Sequence, residues 1–133
     1  MGRKAAVWNA FLSLCLGFLI YILYKRPPPA FRFFLSWEQP LVLLSFLPVW
    51  LSAFIRFHLA DMLWSYSLAS VLYAISGCLP LSCVISIGMT VLFEAAQYAS
   101  FVYGTGDVLD ILFSLCSVSI FYFIWRKHYE QKT

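Results

Sequence analysis

Residues 5–24 pass without a single charged side chain. Coiled as a helix rising about 1.5 Å per residue, that stretch covers roughly 30 Å, the thickness of a bilayer's hydrocarbon core. Arg3 and Lys4 precede it and Lys25 and Arg26 close it, basic residues placed where lipid headgroups lie. The run is longer than the apolar core of a secretion signal and no A-x-A cleavage pattern follows it, so it reads as a permanent anchor. The rest of the chain is of the same character, 62% hydrophobic and 11% charged, against about 25% charged in soluble domains. The expectation is one all-α membrane domain over residues 1–133, a polytopic bundle surrounded by the lipid bilayer. The net charge of +3 comes from basic residues at the ends of apolar runs, which argues against a nucleic-acid partner.

Further spans follow. Pro27, Pro28 and Pro29 stop any helix leaving the first. Residues 41–55 are apolar but short, about 22 Å as a helix, and Pro48 interrupts them. They read as a re-entrant or interfacial helix, giving four spans in all, with a fifth full span as the alternative. Arg56, His58 and Asp61 then mark a polar boundary. Residues 62–79 form the next span, closed by Pro80; residues 81–101 another; residues 103–106 a turn; residues 107–125 the last. The basic residues divide as Arg3, Lys4, Arg126, Lys127 and Lys132 against Lys25, Arg26, Arg32 and Arg56 for four spans. A fifth span leaves Arg3, Lys4 and Arg56 against Lys25, Arg26, Arg32, Arg126, Lys127 and Lys132, with the C-terminal side again the richer. Either count puts the C-terminus in the cytoplasm and the 103–106 turn outside.

Polar residues in these runs recur at helical spacing. Asn9, Ser13, Gly17 and Tyr21 share one face; Ser82, Ser86, Thr90, Glu94 and Gln97 share another; Asp107, Asp110, Ser114 and Ser117 a third. Small and weakly polar residues are what membrane helices place at their contacts. The four cysteines, Cys15, Cys78, Cys83 and Cys116, form no CxxC pair and no metal-ligand spacing with histidine, and read as small buried hydrophobes. No metal site is indicated, and the residues name no particular cofactor.

Packing does not account for the acids. Glu94 lies deep in its span, and an ionisable group at that depth marks a functional site unless it is neutral, paired or wetted. Gln97, one turn on, is placed to share a ligand with it. Asp107 and Asp110 open the last helix, where an N-cap role competes with a ligand role; Asp61 is open to the same two readings. Arg56 is the available counter-ion and His58 a titratable neighbour. Trp64, Tyr66, Tyr98 and Tyr103 supply candidate aromatic walls.

The order Glu94-x-x-Gln97, a turn, Asp107-x-x-Asp110, then small residues resembles the VanZ-like membrane proteins, whose pattern runs E-x-x-Q, G-R-x-x-D-x-x-D, N-x-x-G. The stretch beginning Asp61-Met62-Leu63-Trp64 looks like the polar opening of the preceding family helix. The resemblance covers about residues 61–120. Gly104 or Thr105 stands at the place of the family arginine, and Ser114 and Ser117 at those of its asparagine and glycine. What it implies is a small polytopic protein of the cell envelope, with glycopeptide resistance by the family's name. Three functions fit the residues: binding of a lipid-linked or glycan-bearing headgroup at an outer-leaflet site of Glu94, Gln97, Asp107, Asp110 and Asp61; an intramembrane acid–base or metal-dependent enzyme, for which the sequence shows no nucleophile beside a base; and an accessory subunit whose acids pair with a partner.

Overall fold

The computed structural model describes residues 3–24, 47–102 and 106–130, and all the regular structure in them is helical. The helices are α1 (Arg3–Tyr24), α2 (Val49–Phe54), α3 (Ala60–Ser76), α4 (Leu79–Tyr98) and α5 (Val108–Glu130), with a π-helical turn at Ile55–Leu59 joining α2 to α3. Among the described residues, three helices are long and apolar enough to cross a membrane, over Lys4–Tyr21, Leu79–Tyr98 and Val108–Lys127.

The segment at residues 41–55 differs from expectation where it is described; residues 41–46 and the turn at 103–105 lie outside the described residues. Pro48 stands at the start of a helix. Its carbonyl accepts the N–H groups of Leu51 and Ser52, both at 3.0 Å, and its missing N–H is no loss ahead of a first turn. From there the backbone stays helical through Phe54, Ile55, Leu59 and Ala60. Arg56, His58 and Asp61 therefore lie inside one continuous helical path rather than at a boundary. Asp61 does not open a helix, because the backbone is already helical at Leu59 and Ala60.

The other ends follow local chemistry. α3 stops at Gly77, whose φ of 71° places it in the left-handed region that glycine enters freely, and its N–H closes on Tyr73 O at 2.9 Å. Pro80 then falls in the first turn of α4, where it fits, instead of closing the helix before it. α4 ends in a Schellman motif: Phe101 N–H donates to Ala96 O, Ser100 N–H to Gln97 O, and Ser100 itself has φ 60°. α5 outlasts Trp125 and reaches Glu130, which pairs with Arg126 one turn earlier.

α3 is the central helix. It packs on α1, α4 and α5, and α4 and α5 pack on one another. The polar stripes face these contacts. Asn9 Nδ2 donates to Tyr66 OH at 2.9 Å, and Ser67 Oγ to Ala10 O at 2.9 Å. A Cβ on Gly17 would stand 3.2 Å from Leu63 Cβ, so the absent side chain is what lets α1 lie close to α3. Ser65, Ser70, Ser82, Ser86, Ser114 and Ser117 are buried, while Trp8, Leu12, Val84, Leu92 and Phe123 point outward. A water-soluble bundle has the reverse arrangement; here the apolar exterior suits lipid and the interior holds residues that let helices approach. The larger buried side chains, Tyr73, Leu79, Val118, Phe121 and Trp125, gather at the end of the bundle away from the acids. All four cysteines are free. Cys83 is buried and Cys78 half-buried, but Cys15 and Cys116 face outward, contrary to the expectation that all four are buried.

Candidate functional site

Glu94 is 8% exposed. Its Oε2 accepts the backbone N–H of Asp107 at 3.0 Å, which brings the end of α4 onto the start of α5. Asp110, Asp61 and Asp107 all lie close enough to act electrostatically on its carboxyl. Four of the five residues singled out in the sequence thus lie at the same end of the bundle. Gln97 is half-buried one turn beyond Glu94, but its side chain makes no hydrogen bond to a described residue; its carbonyl serves the helix-ending turn instead.

The carboxylates have distinct surroundings. Asp107 is an N-cap: its Oδ1 accepts Leu109 N–H at 2.9 Å and its carbonyl accepts Asp110 N–H at 3.1 Å. Asp61 is half-buried in α3, and its carbonyl oxygen lies 3.0 Å from Ser65 Oγ. Asp110 meets a histidine. His58 Nδ1 and Asp110 Oδ1 are 2.6 Å apart, with side chains 16% and 15% exposed. The imidazole is packed by Phe113, ring centroids 4.7 Å apart and 33° between planes, and by Phe54 at 6.3 Å. Arg56, the counter-ion expected from the sequence, is exposed and makes no ion pair among the described residues.

Below the acids, hydroxyls tie three helices together. Ser65 Oγ donates to Ser114 Oγ at 2.8 Å and lies 3.2 Å from Thr90 Oγ1; Ser86 Oγ donates to Ser65 O at 2.9 Å; Ser117 Oγ donates to Met62 O at 2.6 Å. Ser65 and the His58–Asp110 pairing are the site features that the sequence reading lacked. His58, Asp61 and Ser65 are spaced by three and four residues, a one-face signal that is visible only once the path from 55 to 65 is taken as a continuous helix.

The aromatic walls do not gather. Trp64 and Tyr98 point outward, Tyr66 is engaged with Asn9 and Phe121, and Tyr103 is outside the described residues. No group of three or more histidine, cysteine, aspartate or glutamate side chains is arranged to hold a metal ion among the described residues. No protein-family model, curated protein or solved structure matches the chain.

Proposed function

We propose that the chain is a VanZ-like envelope protein of four spans, in which α2 and the π turn lead into α3 as the second. The C-terminus lies in the cytoplasm and the acidic end faces the outer leaflet, where it binds the headgroup of a lipid-linked or glycan-bearing molecule. The observation that supports this reading best is Glu94. It is a carboxyl at 8% exposure with the carboxyls of Asp61, Asp107 and Asp110 around it. Packing two helices together does not require that concentration of acids, and ionisable residues in membrane-spanning helices mark ligand sites and proton paths. A headgroup rich in hydrogen-bond donors suits a site built of acceptors. The Glu94-x-x-Gln97 and Asp107-x-x-Asp110 order adds the family resemblance, and the basic residues near the C-terminus give the orientation.

The test is a lipid-extract mass spectrum of the protein purified from its own membrane. Enrichment of a glycan-bearing lipid over the bulk membrane, lost in Asp110→Asn at unchanged expression and melting, is the expected result. An extract identical to bulk membrane rules the reading out. A second reading, an intramembrane acid–base enzyme, is favoured by one contact, the carboxylate-held imidazole of His58.

A further inference from the structure

We propose that His58 and Asp110 form a general acid–base pair, in which His58 Nε2 takes the proton from a water molecule attacking an uncharged acyl ester. The inference rests on the proposed function only in placing a lipid-bearing molecule at the acidic end.

The contact itself is the first ground. His58 and Asp110 are 52 residues apart in sequence and meet at 2.6 Å, on a π turn and on α5 respectively. With Nδ1–H donated to the carboxylate, the ring presents the Nε2 lone pair, the arrangement by which a carboxylate orients and stabilises a basic histidine. No described residue hydrogen-bonds Nε2, and the side chain keeps 16% exposure. The contacts with Phe113 and Phe54 hold the ring plane. The π turn is the second ground. Such insertions are rare and gather at functional sites, and this one carries His58 between α2 and α3.

Depth and charge select the substrate. Asp110 is the third residue of α5, about 3 Å along the helix from its first residue. With the start of α5 at the outer membrane surface, as the proposed function has it, that depth falls within the interfacial layer, on the order of 5–8 Å thick on each side, where the ester groups of a lipid lie between its headgroup and its chains and where water is present. Phe54 and Phe113 flank the imidazole with apolar surface for an acyl chain. Asp110 acts electrostatically on Glu94 from α4, which also feels Asp61 from α3 and Asp107 at the start of α5, while Arg56 of the π turn is exposed and makes no ion pair among the described residues. The three carboxyls disfavour an anionic phosphoryl group and tolerate a neutral ester.

The step balances with water alone. The O–H bond of water breaks, its proton passes to Nε2, and its oxygen bonds to the ester carbonyl carbon. The tetrahedral intermediate expels the alkoxide, which takes the proton back from Nε2, leaving an acid and an alcohol. Asp110 keeps its hold on Nδ1–H throughout and is a positioning residue.

The experiment uses the full chain in detergent micelles with a medium-chain 4-methylumbelliferyl ester. The parent is expected to hydrolyse it faster than protein-free micelles. His58→Gln is expected to lose on the order of a hundredfold or more in kcat with KM kept. Asp110→Asn is expected to lower kcat and displace the pH profile, with nitrogen-15 NMR showing the Nδ1–H tautomer of His58 in the parent and a mixture in the variant. Absence of hydrolysis by the parent, parental rates in His58→Gln, or a protonated Nε2 in the neutral ring of the parent overturns the proposal. Should His58→Gln fail to fold, carbethoxylation of His58 in the folded parent replaces it, and undiminished hydrolysis then refutes the pair. Lipid enrichment without hydrolysis sinks this inference and leaves the binding function standing; hydrolysis without enrichment does the reverse.

Discussion

Glu94 Oε2 accepts the backbone N–H of Asp107 at 3.0 Å, so a buried carboxyl on α4 closes the first exposed end of α5. A helix start leaves N–H groups without partners. Here Asp107 deals with two of them, receiving Leu109 N–H on its own side chain while giving its N–H to Glu94. Removing the acceptor therefore matters more than removing the charge. Glu94→Gln keeps an oxygen in place and is expected to melt close to the parent. Glu94→Leu leaves the Asp107 N–H unsatisfied and is expected to lose about 1–3 kcal/mol. Thermal unfolding in detergent compares the two, and equal losses would contradict the acceptor role.

The cap at Asp107 makes a separate prediction. Asparagine caps about as well as aspartate, so Asp107→Asn should be nearly silent, while Asp107→Ala should cost about 1 kcal/mol. Both are read by the same melting experiment. A loss in Asp107→Asn as large as in Asp107→Ala would show that its charge, not its cap, is what the fold uses.

Ser65 and Ser114 are expected to be energetically coupled. Their hydroxyls are 2.8 Å apart, and both residues are buried. A double-mutant cycle with Ser65→Ala and Ser114→Ala should return a coupling of about 0.6 kcal/mol, with about 1.7 kcal/mol as the upper end for such bonds between membrane helices. Strictly additive losses would mean that the hydroxyls only fill space.

Two glycines should respond in opposite ways. A Cβ at Gly106 would stand 2.8 Å from both Glu94 O and Tyr98 N, backbone atoms that have little room to move; one at Gly88 meets nothing within 4 Å. Gly106→Ala is expected to lose about 1–3 kcal/mol by crowding. Gly88→Ala is expected to be neutral or to gain up to about 1 kcal/mol from helix propensity. Melting temperatures of the two variants settle the contrast, and a well-tolerated Gly106→Ala would place α4 and α5 further apart at that end.

Orientation is tested by labelling. Phe101 is exposed at the end of α4. In a variant whose four native cysteines are replaced, Phe101→Cys should react with an impermeant thiol reagent in intact cells, because the basic residues near the C-terminus favour the cytoplasmic side for that end. Reaction only after permeabilisation would invert the topology.

Much of this was legible from the order of residues alone. Charge-free runs of membrane length give helices because a backbone in lipid must satisfy its own hydrogen bonds. Polar residues recurring every three or four positions give the inward faces, and Ser13, Ser82, Ser86, Ser114 and Ser117 are all buried on them. Asp107 at the start of an apolar run is placed to cap, and does. These features are local, fixed within a few turns of one helix. The partners are not. That His58 rather than Arg56 meets Asp110, that Glu94 holds the Asp107 N–H, and that Ser65 joins Thr90 and Ser114 depend on how far each helix is rotated and at what depth it stops. The π turn at Ile55–Leu59 alters that rotation, and the Gly17 contact sets how near α1 lies to α3. The sequence determined which residues face inward; the summed packing of the helices decided which of them touch.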